Sequence, residues 1–160
     1  MKSHGFTLIE LIIVIVILGV LAVTAMPRFM GLSSDARSEV INQIQVSVEQ
    51  ANDLVHYKSL MKSYSTQAVP GRPDLFDVDL DNNGSFETRL MWGYLDNTDI
   101  EKRINLSDDL QIQYQGIRFT YIGWDFDGDT QISDDNCYFR YTQAASASTP
   151  PVYQQVLTGC

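Results

Sequence analysis

Fifteen of the chain's 20 acidic residues fall between Asp74 and Asp135, where only Arg89, Lys102, Arg103 and Arg118 oppose them. They gather in two clusters, D-V-D-L-D-N-N-G-S-F-E over residues 77–87 and D-F-D-G-D-T-Q-I-S-D-D-N over residues 125–136. Alternate acidic oxygens on a tight turn converge on a hard cation, which is how EF-hand-type loops hold Ca2+. Against that template Asp125, Asp127 and Asp129 fill the first three ligand slots of the second cluster, with Gln131 next and Ile132 in the apolar slot. Ser133 stands ninth and Asn136 twelfth, with Asp135 beside it, while Thr130 replaces the usual turn glycine. In the first cluster Asp79, Asp81 and Asn83 take the ligand slots after Asp77, and Gly84 takes the turn, but Leu90 stands where the closing acid belongs. The second cluster is therefore the better candidate for Ca2+. The competing reading is that Asp, Asn and Gly are turn formers and the acidity serves solubility.

Other chemistries are poorly supported. The chain has 160 residues and a net charge of −9, against the basic face that nucleic-acid binding requires, so no nucleic-acid partner is expected. Two His and two Cys are too few for a Cys/His zinc cluster, and no Ser-His-Asp, Cys-His or P-loop arrangement exists. Paired carboxylates on an aspartate-rich turn make a poor acid/base site, because nothing apolar separates their pKa values. An enzyme is not expected.

The amino terminus is of a different character. Residues 11–26 carry no charge, and the apolar stretch from Phe6 to Met26 is interrupted only by Glu10. About 20 helical residues cross a bilayer. A secretory signal peptide has a similar layout, but this run is longer than a usual signal core and no convincing cleavage site closes it. Lys2 precedes the run, as the positive-inside rule asks of a cytoplasmic end. A carboxylate inside an apolar helix costs about 2–3 kcal/mol to insert, so Glu10 needs a partner unless it reaches the headgroups.

Gly5-Phe6-Thr7-Leu8-Ile9-Glu10 followed by an apolar helix resembles the prepilin signature of type IV pilins and type II secretion pseudopilins. The resemblance implies that a prepilin peptidase cuts after Gly5 and methylates the new amino terminus at Phe6. It also implies that Glu10 pairs with a neighbouring subunit's amino terminus, where two opposite charges relieve each other's desolvation and set register. The stretch from Ala25 through Asp35-Ala36-Arg37 to Val55 is most similar to mannose-sensitive haemagglutinin pilins of the type IVa class.

The positioning elements follow from periodicity. Val40, Ile44, Val48, Ala51 and Val55 recur at spacings of three and four, with Ile41, Leu54 and Met61 broadening the stripe and Arg37, Glu39, Asn42, Gln45, Glu49 and Asn52 opposite. One helix from Phe6 to about Tyr64, roughly 90 Å long, is expected. His56 is expected at the surface. Pro70-Gly71-Arg72-Pro73 ends the helical region, and the rest reads as strands and loops. Alternation at Leu110, Ile112 and Tyr114, then at Ile117, Phe119 and Tyr121, suggests a hairpin. Cys137, Phe139 and Tyr141 make a further strand, residues 152–157 a last one, and residues 90–94 an edge strand.

The expected fold class is α+β: a long amino-terminal helix packed on an antiparallel sheet of three to five strands. Its divisions are a leader (1–5), an apolar transmembrane or filament-core helix (6–30) and a globular head (31–160), with the amphipathic helix over about 31–64 and the sheet over about 70–160. Cys137 and Cys160 are the only cysteines. In an exported head they are expected to pair, as the resemblance also implies for the carboxy-terminal loop of pilins; the alternative is two free thiols.

The resemblance implies a structural subunit that leaves the inner membrane, where it sits as a precursor handled by the pilus assembly machinery, to form a homopolymeric extracellular pilus serving adhesion. A type II secretion pseudopilin or minor pilin is the alternative within the family. A membrane-anchored calcium-dependent binding module or enzyme is the alternative outside it.

Overall fold

A computed structural model describes residues 7–160, leaving out the side chains of residues 23–32. Gly5 and Phe6 lie outside the described residues. The chain divides into two compact units, residues 1–37 and 38–160. One helix, α1 (Leu8–Leu60), belongs partly to each.

In the first unit α1 starts on a reciprocal cap. The Thr7 backbone N–H and hydroxyl both donate to one Glu10 carboxylate oxygen, at 2.9 and 2.8 Å, and the Glu10 N–H donates to the Thr7 hydroxyl at 3.3 Å. This T-x-x-E capping box satisfies amide groups that a helix start leaves orphaned. Beyond it every large apolar side chain from Leu8 to Leu21 is exposed, between 45% and 76%. Among the described residues no helix is long and apolar enough to cross a membrane, since the run with described side chains reaches only residue 22.

The second unit packs the other end of α1 against two antiparallel sheets. Four strands form the first, in the order β1 (Thr66–Val69), β2 (Arg72–Val78), β3 (Thr88–Met91), β4 (Tyr94–Leu95). The second runs β5 (Gln111–Gln115), β6 (Phe119–Gly123), β7 (Tyr138–Thr142), β8 (Val152–Val156). The fold is α+β as expected, and the hairpin of β5 and β6 and the strands β7 and β8 lie where the alternation places them. Eight strands in two sheets exceed the expected three to five. The Pro70-Gly71 pair does not end the helical region, since α1 stops at Leu60 and β1 already precedes the pair: Val69 faces Arg72 across it, so it is the turn of a further hairpin, with Gly71 at φ 76°.

Ile41, Ile44, Val48 and Val55 of α1 share one buried cluster with Val78, Leu90 and Leu95 of the first sheet and Ile122, Phe139 and Tyr141 of the second. Leu54 and Met61, expected in the apolar stripe, are exposed at 57% and 52%. Asn52, expected on the polar face, is fully buried. Its amide donates to the Tyr141 hydroxyl at 3.2 Å and the Tyr153 hydroxyl at 2.8 Å, and its carbonyl accepts the Leu95 N–H at 2.9 Å. Tyr141 in turn donates to the Leu95 carbonyl at 2.7 Å. One amide therefore ties the helix to both sheets, with its polar atoms satisfied as burial demands.

His56, expected at the surface, is half-buried. Its ring stacks on Tyr94 with centroids 4.3 Å apart, and its Nδ1 lies 2.8 Å from the Gly93 carbonyl oxygen. That contact docks the tight turn Trp92-Gly93, both at positive φ, onto the helix.

Asn52→Ala should cost about 3 kcal/mol, because it leaves the Leu95 N–H and two phenols short of partners inside the core. The shift of the urea midpoint measures it. Burial raises both phenols against the opposing Asn52 hydrogen bond, Tyr141 well above its ordinary value and Tyr153 to about 12. Groups that titrate higher when folded contribute stability that is whole below the unfolded pKa and lost as pH rises through the folded one. The head should thus hold full stability below about pH 10 and lose it towards pH 12, read as a falling urea midpoint.

Candidate functional site

Two features carry functional chemistry, one in each unit. In the first unit it is the exposed apolar run with its single carboxylate. Glu10 is expected to await a charge from a neighbouring subunit; here Thr7 already engages one of its oxygens. The capping box was legible in the T-x-x-E spacing, which sequence reasoning spent entirely on the prepilin signature.

In the second unit it is the pair of acidic loops. Asp79, at 3% exposure, accepts the Asn83 N–H at 3.2 Å and the Gly84 N–H at 2.8 Å. Asp81 accepts the Asn83 N–H at 3.2 Å and its side-chain amide at 2.8 Å. Glu87 accepts the Leu80 N–H at 3.2 Å and pairs with Arg103 at 3.4 Å. Asp79, Asp81 and Glu87 each offer an oxygen within 4.8 Å of the others. The expected membership changes at both ends. Asp77 lies in β2 and forms a two-bonded ion pair with Arg89, at 2.8 and 3.0 Å. Asn83 spends its side chain on Asp81 and, through its carbonyl oxygen, on the Ser85 N–H at 2.7 Å. The third carboxylate beside Asp79 and Asp81 is Glu87, three residues before the position that Leu90 occupies.

In the second loop Asp125 accepts N–H groups from Gly128 at 2.7 Å and Thr130 at 3.0 Å. Asp125, Asp127 and Asp135 bring oxygens within 4.8 Å of one another. Asp129 turns aside to hold the Gln131 N–H at 2.7 Å and its side-chain amide at 2.9 Å. The Asn136 amide donates to the Asp134 carbonyl at 2.6 Å, and Ser133 is half-buried. Thr130, in place of the turn glycine, holds φ 70°. Ile132 fills its apolar slot literally: at 1% exposure it packs with Tyr121 and Tyr138, while its N–H donates to Gln113.

The charges in these loops are not equivalent. Burial opposes ionisation of Asp79 and Asp125, but the N–H groups on each outweigh it and hold both below the usual carboxylate range. Asp127 has the Asp129 N–H in its favour, yet burial and the charges of Asp129, Asp135 and Asp134 prevail and raise it. Asp127 thus carries the repulsion that an added cation would relieve.

Cys137 and Cys160 are joined, Cα atoms 4.7 Å apart, and the bond closes onto the second loop. The Gly159 N–H donates to the Asn136 carbonyl at 2.9 Å, and a Cβ on Gly159 would run into the Asp135 carbonyl oxygen. Reduction should destabilise the head by about 3 kcal/mol through the released loop entropy. It should also open residues 125–136 to protease; denaturation and limited proteolysis with and without reductant measure both.

Residues 1–26 match the prokaryotic N-terminal methylation motif. The chain is 45% identical over 51 residues to the type IV narrow pilus major component of Thermus thermophilus, covering 32% of this chain and 44% of that protein. It is 46% identical over 54 residues to the type II secretion system core protein G of Pectobacterium carotovorum, covering 33% of this chain and 34% of that protein. The chain thus spans less than half the length of either relative. No solved structure matches it. Both relatives are named as components of assemblies, a pilus and a secretion system. The chain therefore carries the amino-terminal methylation signal of type IV pilins and pseudopilins, and it is pilin-like in the third that it shares with these relatives.

Proposed function

We propose that this chain is the structural subunit of an extracellular type IV pilus, of the mannose-sensitive haemagglutinin kind, that serves adhesion. The observation that carries the reading is the exposed apolar face over residues 8–21 with one carboxylate at its start. A membrane before assembly and identical helices afterwards cover such a surface. Prepilin peptidase cuts after Gly5 and methylates Phe6. Glu10 then meets the amino terminus of a neighbouring copy, its remaining hydrogen-bonding capacity free to accept that charge. The inner-membrane assembly machinery extracts the precursor into a homopolymer.

The relative in type II secretion supports a second reading, a pseudopilin, at 46% identity against 45% for the pilus relative. Intact mass separates the two. Abundant material sheared from the cell surface, lacking residues 1–5, carrying one methyl group and the disulfide, is the pilus outcome. The same mass confined to membranes is the pseudopilin outcome.

Glu10→Ala should leave the protein in the membrane but cut its yield in sheared filaments by about tenfold or more, since the partner charge stays unpaired in apolar surroundings. Thr7→Ala removes the local cap and keeps the carboxylate, so its filament yield should stay near that of the unaltered chain. Equal losses from both variants would reduce Glu10 to a helix cap.

The head is also proposed to bind Ca2+. Three carboxylate oxygens within 4.8 Å, one of them with a raised pKa, suit a hard cation. Asp125, Asp127 and Asp135 are the leading ligands, since the disulfide holds that loop; Asp79, Asp81 and Glu87 are the second set. Saturating Ca2+ should raise the melting temperature by about 5 °C or more over chelator. Asp127→Ala should abolish the larger part of that rise, and an unchanged melting temperature would end the calcium reading.

A further inference from the structure

The first acidic loop holds an Asn-Gly step, Asn83-Gly84, with both residues exposed. In water this pairing is the chemically weakest in a chain, because glycine puts no Cβ between its amide nitrogen and the preceding side chain. The Gly84 nitrogen, after losing its proton to base, attacks Cγ of Asn83. An N–Cγ bond forms, the Cγ–Nδ2 bond breaks, and the side-chain nitrogen leaves as ammonia. Water then opens the succinimide at either carbonyl, giving aspartate or isoaspartate. Water enters, ammonia departs, and nothing is oxidised.

Three polar atoms of that reaction are held here. The Gly84 N–H, which must give up its proton, donates to the Asp79 carboxylate at 2.8 Å. A neighbouring negative charge makes that proton harder to remove. The leaving nitrogen donates to Asp81 at 2.8 Å, and the Asn83 carbonyl oxygen accepts the Ser85 N–H at 2.7 Å, which hold the side chain along the loop. The Gly84 φ of 89° is a conformation that glycine adopts freely, so the arrangement is not strained. The second loop repeats the device at its Asp127-Gly128 step, where the Gly128 N–H donates to Asp125 at 2.7 Å.

We infer that Asn83 is a latent deamidation site, kept inert by the Asp79 and Asp81 carboxylates and released to react when their hold on the loop is broken. Reaction there is irreversible and places a new carboxylate against Asp81, in a position that now supplies Asp81 with a donor. A subunit opened once at this loop keeps the mark. The inference stands apart from the filament reading, and chelator separates it from the calcium proposed at the same Asp79 and Asp81 carboxylates.

The test is peptide mapping by mass spectrometry of the disulfide-intact full chain, incubated at mildly alkaline pH in chelator, folded and in urea. The unaltered folded chain should deamidate at Asn83 about tenfold or more slowly than the chain in urea, the factor that a charge-assisted hydrogen bond supplies. Asp79→Ala should bring the folded rate up towards the urea rate, with deamidation at Asn105 unchanged as internal control. If near-ultraviolet circular dichroism shows that Asp79→Ala does not fold, Asp81→Ala, altered at an exposed side chain, is read instead. A folded rate equal to that in urea, or a rate indifferent to the folded variant, overturns the inference.

Discussion

Apolar surface that water cannot keep is the constraint from which the rest of this protein follows. Residues 8–21 expose large aliphatic side chains on all sides of the helix rather than along one stripe. A surface of that kind, at about 25 cal/mol per Å2, makes an isolated soluble subunit unfavourable by far more than a domain's own stability. It is stable only where other apolar groups cover it. The polar exceptions at its start are consequently informative, and the Thr7–Glu10 box shows that one carboxylate oxygen already has donors before any partner arrives. The local cap lowers the cost of carrying a charge on an apolar helix, with both Thr7 donors on the same carboxylate oxygen.

The head answers the opposite problem, since it must stay folded in water on a modest core. Helix α1 supplies only a narrow stripe to that core, and two small sheets share it. Asn52 makes them one unit: its amide reaches Tyr141 in β7, Tyr153 in β8 and the Leu95 N–H in β4. Such a buried network is costly if any member is missing and specifying when all are present. The disulfide ties the chain end to the residue before β7, with Cys137 inside the same buried cluster.

What the sequence disclosed depended on whether a residue's role was periodic or relational. The alternation at Ile112, Tyr114, Phe119 and Tyr121 announced β5 and β6, and the three-and-four spacing of Ile44, Val48 and Val55 announced the buried stripe. Asn52 reads as solvent-facing because its type is polar, and only the two phenols of β7 and β8 together with the Leu95 N–H make its burial favourable. Pro70-Gly71 was read as an end because it breaks a helix, yet the same two residues make a tight turn once Thr66 and Val78 can pair across it. Glu87 escaped because the EF-hand count measures along the chain, and the first loop closes three residues earlier than that count allows.

The two acidic loops show why convergent carboxylates by themselves decide little. Asp79 and Asp125 each spend both oxygens on backbone N–H groups of their own loop, so they are ordered and ionised without any cation. These loops are therefore, first of all, turns held by carboxylates. Asp127 is where the balance differs: the Asp129 N–H lowers its pKa but burial and like charges outweigh it, whereas at Asp125 the loop's amides outweigh burial. A cation that entered would gain most at Asp127 and least at the residues that already shape the loop.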